Sequence, residues 1–457
     1  MNRLKSVMKW GFLSLLFLFV VLAIAWAVSR AIYPTEAQRE AIAAMEHQPE
    51  RSGDNAFSLL WMIDRDVPFD EIDSVMAEDV DRASDIPPVP GPDDDDLSTF
   101  VSAARDYPDL SPKGADREMF CRGRGETCLD RVREDLDAYA ALIDRHDELL
   151  ERVGRLHEYD YVRSELPHKL GMLNPNYQSV FLPRTRHALR FAQGDTNQAL
   201  AATCREIATW RRLGANADNL ITRLIGAEAA TDQYGHTLAD MLSELPAGTP
   251  LPEPCGEALV APGIDDLSLC RALKSDFGIM ASVSRHLPET ASEGGFFEQL
   301  AWSMFYDGEA TLGAVAKSYH AMCASSERER LLADRRESSQ PAPRGMWRFA
   351  CVGNPIGCMV NGVAQNPVFT GYRHRLQDYG TKLRVLGTLA WMRRHADEGR
   401  SPAELLAARP DELKSPARDI EFGPEGRTLR VPLYDTTRGE YWSVPLPPEL
   451  HRSAGSS

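Results

Sequence analysis

Residues 157–168 (HEYDYVRSELPH) contain the densest group of side chains able to do chemistry. The group comprises His157, Glu158, Asp160, Glu165 and His168. Imidazole and carboxylate groups together either bind a transition metal or act as a general acid and base. The five do not share one helical face, because Pro167 precedes His168. We therefore keep His157, Glu158 and Asp160 as candidate catalytic residues, against the alternative of a polar helix end. No metal site and no cofactor is predicted.

The aromatic segment 296–306 (FFEQLAWSMFY) is a second candidate site. Its candidate binding residues are Phe296, Phe297, Trp302, Phe305 and Tyr306. On a helix these side chains cover nearly the whole circumference, and a helix that is apolar all round is usually buried. Core packing is the expected role. The alternatives are a groove for a hydrophobic ligand or partner, or a helix that dips into the membrane interface.

The chain has eight cysteines: Cys121, Cys128, Cys204, Cys255, Cys270, Cys323, Cys351 and Cys358. An even count is typical of a disulfide framework in an exported protein. The pairs Cys121/Cys128 and Cys351/Cys358 share one spacing, which is wider than the usual zinc spacing of two to four residues. We expect both short loops to close as disulfides. Among the other four, we favour Cys255 with Cys270 and Cys204 with Cys323, and exchanged pairings stay open.

Common catalytic signatures, such as G-x-S-x-G, H-E-x-x-H, glycine-rich phosphate loops and C-x-x-C, do not occur in the sequence. This lowers the expectation of a hydrolase, a metalloprotease, a nucleotide enzyme or a thioredoxin-like protein. Asn-Pro turns at 174–178 and 354–367 are expected to orient helices. The segment 87–96 (PPVPGPDDDD) predicts a linker, because four prolines and four consecutive aspartates cannot propagate a helix.

An uncharged run at the N-terminus indicates the cellular compartment of the cysteine-containing body. Residues 10–28 (WGFLSLLFLFVVLAIAWAV) contain one polar side chain, Ser14. Nineteen helical residues span about 28 Å, close to the thickness of a bilayer's hydrocarbon core. We expect residues 10–29 to be an uncleaved transmembrane anchor in the lipid bilayer. The alternatives are a cleaved signal peptide and a buried core helix.

Basic residues predict the orientation of this anchor. Arg3, Lys5 and Lys9 precede the apolar run without any acidic residue, so the N-terminus is expected in the cytoplasm. The remaining chain then forms an exported body. Its alanine-, arginine- and proline-rich usage is typical of a GC-rich bacterial genome, which indicates a single-pass protein of the bacterial inner membrane with a periplasmic body.

The charge balance excludes one class of partner. The chain has a net charge of −16, and its first 30 residues carry basic side chains only, so the predicted body is more acidic still. Such a surface repels phosphate backbones, and we expect no nucleic-acid partner.

The apolar periodicity predicts a mainly α fold with helical hairpins. Helices are expected at 34–47, 129–159, 195–214, 216–243, 264–286, 296–306, 308–336 and 369–395, and after a capping box at 401–404. Three β-prone runs at 420–422, 428–433 and 441–446 predict a small C-terminal antiparallel sheet. The predicted segments are a tail (1–9), the anchor (10–29), membrane-proximal helices with the acidic linker (30–96), a helical domain (97–336), a cysteine loop with C-terminal helices (337–417) and the β element with its tail (418–457).

The function predicted from these features is non-enzymatic. We interpret the chain as a membrane-anchored periplasmic scaffold or protein-interaction module, with an envelope protein as partner. One alternative is an envelope enzyme acting on lipid or cell-wall material. The other is a periplasmic ligand-binding subunit of a sensor.

Overall fold

The chain is mainly helical, with one small antiparallel sheet near its C-terminus. The computed structural model describes residues 2–89, 100–121, 123, 127–291, 295–336, 348–364 and 368–451. Most of the predicted linker at 87–96 and the tail at 452–457 lie outside the described residues.

Helix α1 (Asn2–Ile32) contains the uncharged run. Among the described residues it is the one helix long and apolar enough to cross a membrane. None of its most apolar stretch is buried inside the protein. The core-helix alternative is therefore wrong, because a core helix would be covered by neighbouring elements.

The other helices follow in chain order. The N-terminal half contains α2 (Glu36–Glu46), α3 (Phe57–Trp61), α4 (Ile72–Ser84), α5 (Gly114–Met119), α6 (Cys128–Glu134), α7 (Leu136–Arg145), α8 (Asp147–Gly154), α9 (Pro183–Ala192), α10 (Thr196–Ala215), α11 (Leu220–Glu228) and α12 (Tyr234–Glu244). The C-terminal half contains α13 (Pro254–Ala258), α14 (Ile264–Leu267), α15 (Leu273–Ala291), α16 (Phe296–Phe305), α17 (Gly308–Ala321), α18 (Ser325–Leu332), α19 (Ala350–Gly353), α20 (Pro355–Ala364), α21 (Val368–Arg394) and α22 (Pro402–Ala408).

Several predicted helices are divided. The expected helix at 129–159 is three helices, which break at Asp135 and His146. Asp135 leaves the helical conformation (φ −157°, ψ 82°), and its carboxylate accepts a hydrogen bond from the Ala138 N–H at 3.0 Å, as an N-cap does. The predicted helices at 264–286 and 308–336 are likewise divided, into α14 with α15 and α17 with α18. The apolar period marks which residues are buried but not where the backbone turns.

The core centres on α10 and α21, which pack against α9, α11, α12 and the sheet. Gly214 does not end α10, as the sequence suggested; it lies inside the helix, where α11 crosses. A Cβ on Gly226 would lie 2.8 Å from the Gly214 Cα and 2.8 Å from the Trp210 carbonyl oxygen. Glycine at this crossing lets the two backbones approach closely. One continuous core extends from Ala41 to Leu450, while the proposed domain division stays a prediction.

The C-terminal sheet has the order β1-β2-β3 and is antiparallel, as predicted. Its strands are β1 (Glu421–Phe422), β2 (Thr428–Pro432) and β3 (Tyr441–Pro445). Leu429 and Val431 alternate inward along β2 and are fully buried. The sheet packs on α12 and α21, which supplies the cover that three short strands need.

Four disulfides involve all eight cysteines. Cys121 pairs with Cys128 and Cys351 with Cys358, as the spacing favours. The favoured pairing of the other four is wrong. Cys204 joins Cys255, and Cys270 joins Cys323. Cys255 lies on α13, which packs on α10, whereas Cys270 lies near the end of α17. Cys255 and Cys270 therefore face different helices.

A buried ionic network fixes the segment before the sheet to α21. The guanidinium of Arg418 donates to both carboxylate oxygens of Asp334 at 2.8 Å and also pairs with Asp378. All three side chains are at most 4 % exposed. Asp378 in turn accepts hydrogen bonds from the backbone N–H groups of Tyr434 and Asp435, at 2.8 and 2.9 Å. One arginine therefore pairs with two buried carboxylates.

Replacing that arginine should unfold the body more easily. Arg418→Met leaves two buried carboxylates without a cation, and loss of one partner of a buried pair costs about 3–5 kcal/mol. We expect that decrease in the free energy of unfolding, measured by urea denaturation of the full chain in detergent. The matched control is Arg430→Met, which breaks the half-exposed pair with Glu421 and should cost about 1 kcal/mol or less. Equal effects of the two substitutions would contradict the network's role.

Candidate functional site

The structure disperses the polar candidates from segment 157–168. The Nδ1 of His157 lies 2.6 Å from the Gly154 carbonyl oxygen, and Glu158 pairs with Arg155 at 3.0 Å. Asp160 accepts a hydrogen bond from the Asp54 N–H at 3.0 Å. All three candidates lie on the exposed surface. These contacts are those of a polar helix end, and within the described ranges no three His, Cys, Asp or Glu side chains are placed to hold a metal.

The aromatic segment behaves differently from a core helix. Phe296 is 72 % exposed and Phe297 84 %, and Phe305 is also exposed. Only its inner edge packs on the body: the Trp302 ring contacts the Tyr306 ring, whose hydroxyl donates to the Ser284 carbonyl on α15 at 2.8 Å. The core interpretation is therefore wrong for the three phenylalanines, because no element of the described chain covers α16 on its outer side.

Helix α1 ends against this segment. Trp26, Ser29 and Arg30 follow at steps of three and one, which places them on one helical face. The Trp26 Nε1 donates to the Met304 carbonyl of α16 at 2.8 Å. The Arg30 guanidinium donates to the carbonyl of Tyr306 and lies over the Trp26 ring, 5.2 Å from its centroid. The final turns of the apolar helix are thus fixed to the end of α16.

The same face of α1 also meets α19. The Ser29 hydroxyl is fully buried; it donates to the Phe349 carbonyl at 2.8 Å and accepts from the Gly353 N–H at 3.1 Å. Arg30 Nε donates to the Gly353 carbonyl at 3.1 Å. A Cβ at position 353 would lie 2.9 Å from the Ser29 Oγ, so this contact requires glycine. We call these contacts of Trp26, Ser29 and Arg30 the α1 junction.

The junction is tied to the body by Asn354 and a disulfide. Asn354 Oδ1 accepts from the N–H groups of Asp307 and Gly357, and its Nδ2 donates to Thr311 Oγ1 at 2.8 Å. The Asn-Pro turn therefore orients α20 against α17, as a connector should. The Cys351–Cys358 disulfide joins α19 to α20.

An exposed apolar surface surrounds the junction. We call it the apolar platform, and its members are Phe296, Phe297, Leu300, Met304, Phe305, Phe349, Val352 and Met359, each between 38 and 84 % exposed. Single exposed apolar residues are normal, but a cluster of this kind marks an interaction surface.

The sequence pattern marks the aromatic segment of this site but not its other residues. Ser29 and Arg30 stand in the sequence simply at the polar end of an apolar run. The sequence does carry a signal for this contact. Ser29 and Arg30 follow Trp26 by three and four residues, so the three side chains share one face of the helix. Phe349, Val352 and Met359 carry no periodicity that would set them apart from core residues.

A cleft of about 510 Å³ lies between α2, α15 and the loop at 167–169. Its lining combines apolar Met45 and Phe277 with cationic Lys169 and Lys274. Both lysine amines donate to backbone carbonyls, and burial lowers the pKa of each. His168, a member of the polar segment, packs here, and its buried Nε2 has no hydrogen-bond partner among the described residues. The cleft is large enough for a small organic ligand.

Strongly perturbed titratable groups lie elsewhere, in the core around α10. Burial raises the pKa of Glu206 to about 8 and that of Asp240 to about 7. Burial likewise lowers the pKa of the fully enclosed His187 well below its ordinary value. Perturbed groups mark active sites when they line a cleft. Glu206, Asp240 and His187 do not line the cleft between α2 and α15, so we assign their effect to stability.

The Glu206 carboxyl should make stability depend on pH. Its pKa is raised from 4.5 to about 8, so the folded state keeps a proton that the unfolded state releases. The stability that the protonated Glu206 carboxyl contributes is fully present below pH 4.5 and is lost as the pH rises through 8. In Glu206→Gln it is absent, so the stability of wild type relative to this variant should fall by a few kcal/mol between pH 5 and pH 9. Urea denaturation at both pH values measures this difference, and a constant difference would contradict the assignment.

Removing the Ser29 hydroxyl should loosen the junction alone. Ser29→Ala removes the oxygen that accepts a hydrogen bond from the Gly353 N–H. Because one hydrogen bond contributes about 1 kcal/mol, amide exchange at Gly353 should accelerate about fivefold. Hydrogen-exchange mass spectrometry measures this rate. Ser14→Ala, which removes a hydroxyl on the exposed part of α1, is the control and should leave it unchanged. Unchanged exchange in both variants would show that Ser29 does not hold the junction.

Comparison with known proteins adds no relative to this description. No protein-family model matches the chain, and no curated protein or solved structure is similar to it. The functional argument therefore rests on the side chains described above.

Proposed function

We propose that the protein is a non-enzymatic helical scaffold or protein-interaction module of the bacterial envelope, anchored in the inner membrane by α1. The observation that carries this proposal is the α1 junction, in which Ser29 and Arg30 bond directly to α19. A body attached in this way presents its surfaces at a fixed height and angle above the membrane. That is the property a scaffold requires, whereas a mobile tether would suffice for an enzyme acting in solution.

The periplasmic placement has two supports. Four disulfides involving all eight cysteines favour an oxidising compartment. Arg3, Lys5 and Lys9 before the apolar run favour a cytoplasmic N-terminus. Together they orient α1 with its junction end on the periplasmic side, where the disulfide-bonded body would reside.

A periplasmic ligand-binding subunit is the second candidate function. The cleft between α2 and α15 favours it, since its volume and its mixture of apolar and charged lining suit a small molecule. The enzyme alternative has less support, because His157, Glu158 and Asp160 each serve a local structural contact.

Photocrosslinking in intact membranes tests the scaffold proposal. A photoreactive amino acid replaces Ile221 or Val260, which are 45 and 51 % exposed on the body. We expect a defined adduct with one envelope protein from at least one of these positions. The same adduct should form in a His157→Gln, Glu158→Gln variant, because binding does not use those side chains. Absence of a protein adduct from both positions, or its loss in the double variant, would overturn the proposal.

A further inference from the structure

We propose that the apolar platform inserts into the lipid leaflet that receives the C-terminal end of α1, so that the body contacts the bilayer through α16 as well as through its anchor. The inference rests on the anchoring part of the proposed function and names the partner of the exposed site: the acyl and headgroup boundary of the membrane.

The first step is the exposure of α16. Phe296 and Phe297 project into solvent at 72 and 84 % exposure, and Leu300, Met304 and Phe305 are each more than 40 % exposed. Transfer of apolar side chains of this size out of water is favourable in proportion to the area that is covered. Because several lie side by side, the platform needs an apolar cover.

The second step is depth. The Trp26 indole donates to the Met304 carbonyl at 2.8 Å, which places the C-terminal end of α16 level with Trp26. Trp26 lies two residues before the end of the uncharged run, and tryptophan is enriched at the membrane–water boundary. Arg30, one turn further, follows where a cation is expected beyond the hydrocarbon. The helix α16 therefore lies at the height of the bilayer interface.

The third step distinguishes lipid from a protein partner. The platform continues the exposed apolar surface of α1, where Phe19 and Leu22 share the helical face of Trp26 and are 69 and 54 % exposed. Any protein seated there would itself have to occupy the membrane boundary. Apolar side chains also point outward around most of α16, with Glu298 its one charged residue, which suits a fluid surface better than a fixed complementary one.

The platform is stiffened in a way that insertion requires. Three of its eight residues lie on or beside α19 and α20, which the Cys351–Cys358 disulfide joins and Asn354 binds to α17. Val352 and Met359 lie next to the two linked cysteines and are 38 and 53 % exposed. These side chains of the platform therefore project from two helices, α19 and α20, that a disulfide joins.

Lipid photocrosslinking tests the inference with the purified full chain in vesicles of phosphatidylethanolamine and phosphatidylglycerol. A photoreactive amino acid replaces Phe305, and mass spectrometry detects acyl-chain adducts. The matched control position is Tyr441 on β3, which has the same exposure of 43 %. We expect lipid adducts at 305 and none at 441. Absence of lipid adducts at 305, or adducts with a second copy of the chain instead, would overturn insertion.

A second substitution separates insertion from a chance encounter. Phe297→Glu places a carboxylate on the exposed side of α16, where it cannot affect core packing. It should reduce the lipid adduct at 305 about tenfold, because a carboxylate resists transfer out of water. An undiminished adduct would contradict insertion by α16. These vesicles contain no partner protein, so the two experiments are independent. Loss of lipid adducts at 305 with retained protein adducts from Ile221 or Val260 rejects insertion alone. Loss of both kinds of adduct rejects the anchored scaffold.

Discussion

The Ser29 hydroxyl donates a hydrogen bond to one residue beside α19 and accepts one from another, and it is completely enclosed in doing so. A serine at the end of an apolar helix would ordinarily be satisfied by water or by its own backbone. Here both bonds cross to the body. The orientation of the body relative to α1, the height of α16 and the exposure of the apolar platform all depend on this contact and on the neighbouring Arg30.

Inside the body, a few buried polar contacts likewise join neighbouring elements. Arg418 pairs with two buried carboxylates and attaches the C-terminal sheet to α21. Lys382 pairs with Asp232 at 2.6 Å between α21 and a π-helical turn. Disulfides perform a related task for the loops, since Cys204–Cys255 fixes α13 to α10. Helices this short have little stability of their own, so cross-links between them maintain the arrangement.

The sequence supported the fold class, the C-terminal sheet and the closure of the short cysteine loops, because periodicity and close spacing are local signals. It misjudged what depends on distant residues. Asp135 and His146 interrupt a helix whose apolar stripe is broken only at His146 and continues on both sides of the two residues. Cys255 pairs according to where α13 lies rather than with its nearest cysteine. The aromatic segment was misassigned for a related reason: a helix apolar all round fits a protein core and a membrane boundary equally well. The exposure of Phe296 and Phe297 in the folded chain excludes the core.

The α1 junction has a consequence for the order of assembly. Ser29 and Trp26 are synthesised first, yet their partners lie 320 and 278 residues further along the chain. Chains emerge from the ribosome N-terminus first, so α1 waits while nearly three quarters of the protein is made. Docking of α1 is therefore among the last events of biogenesis. A chain that ends before residue 349 would leave Ser29 and Arg30 without their partners at Phe349 and Gly353.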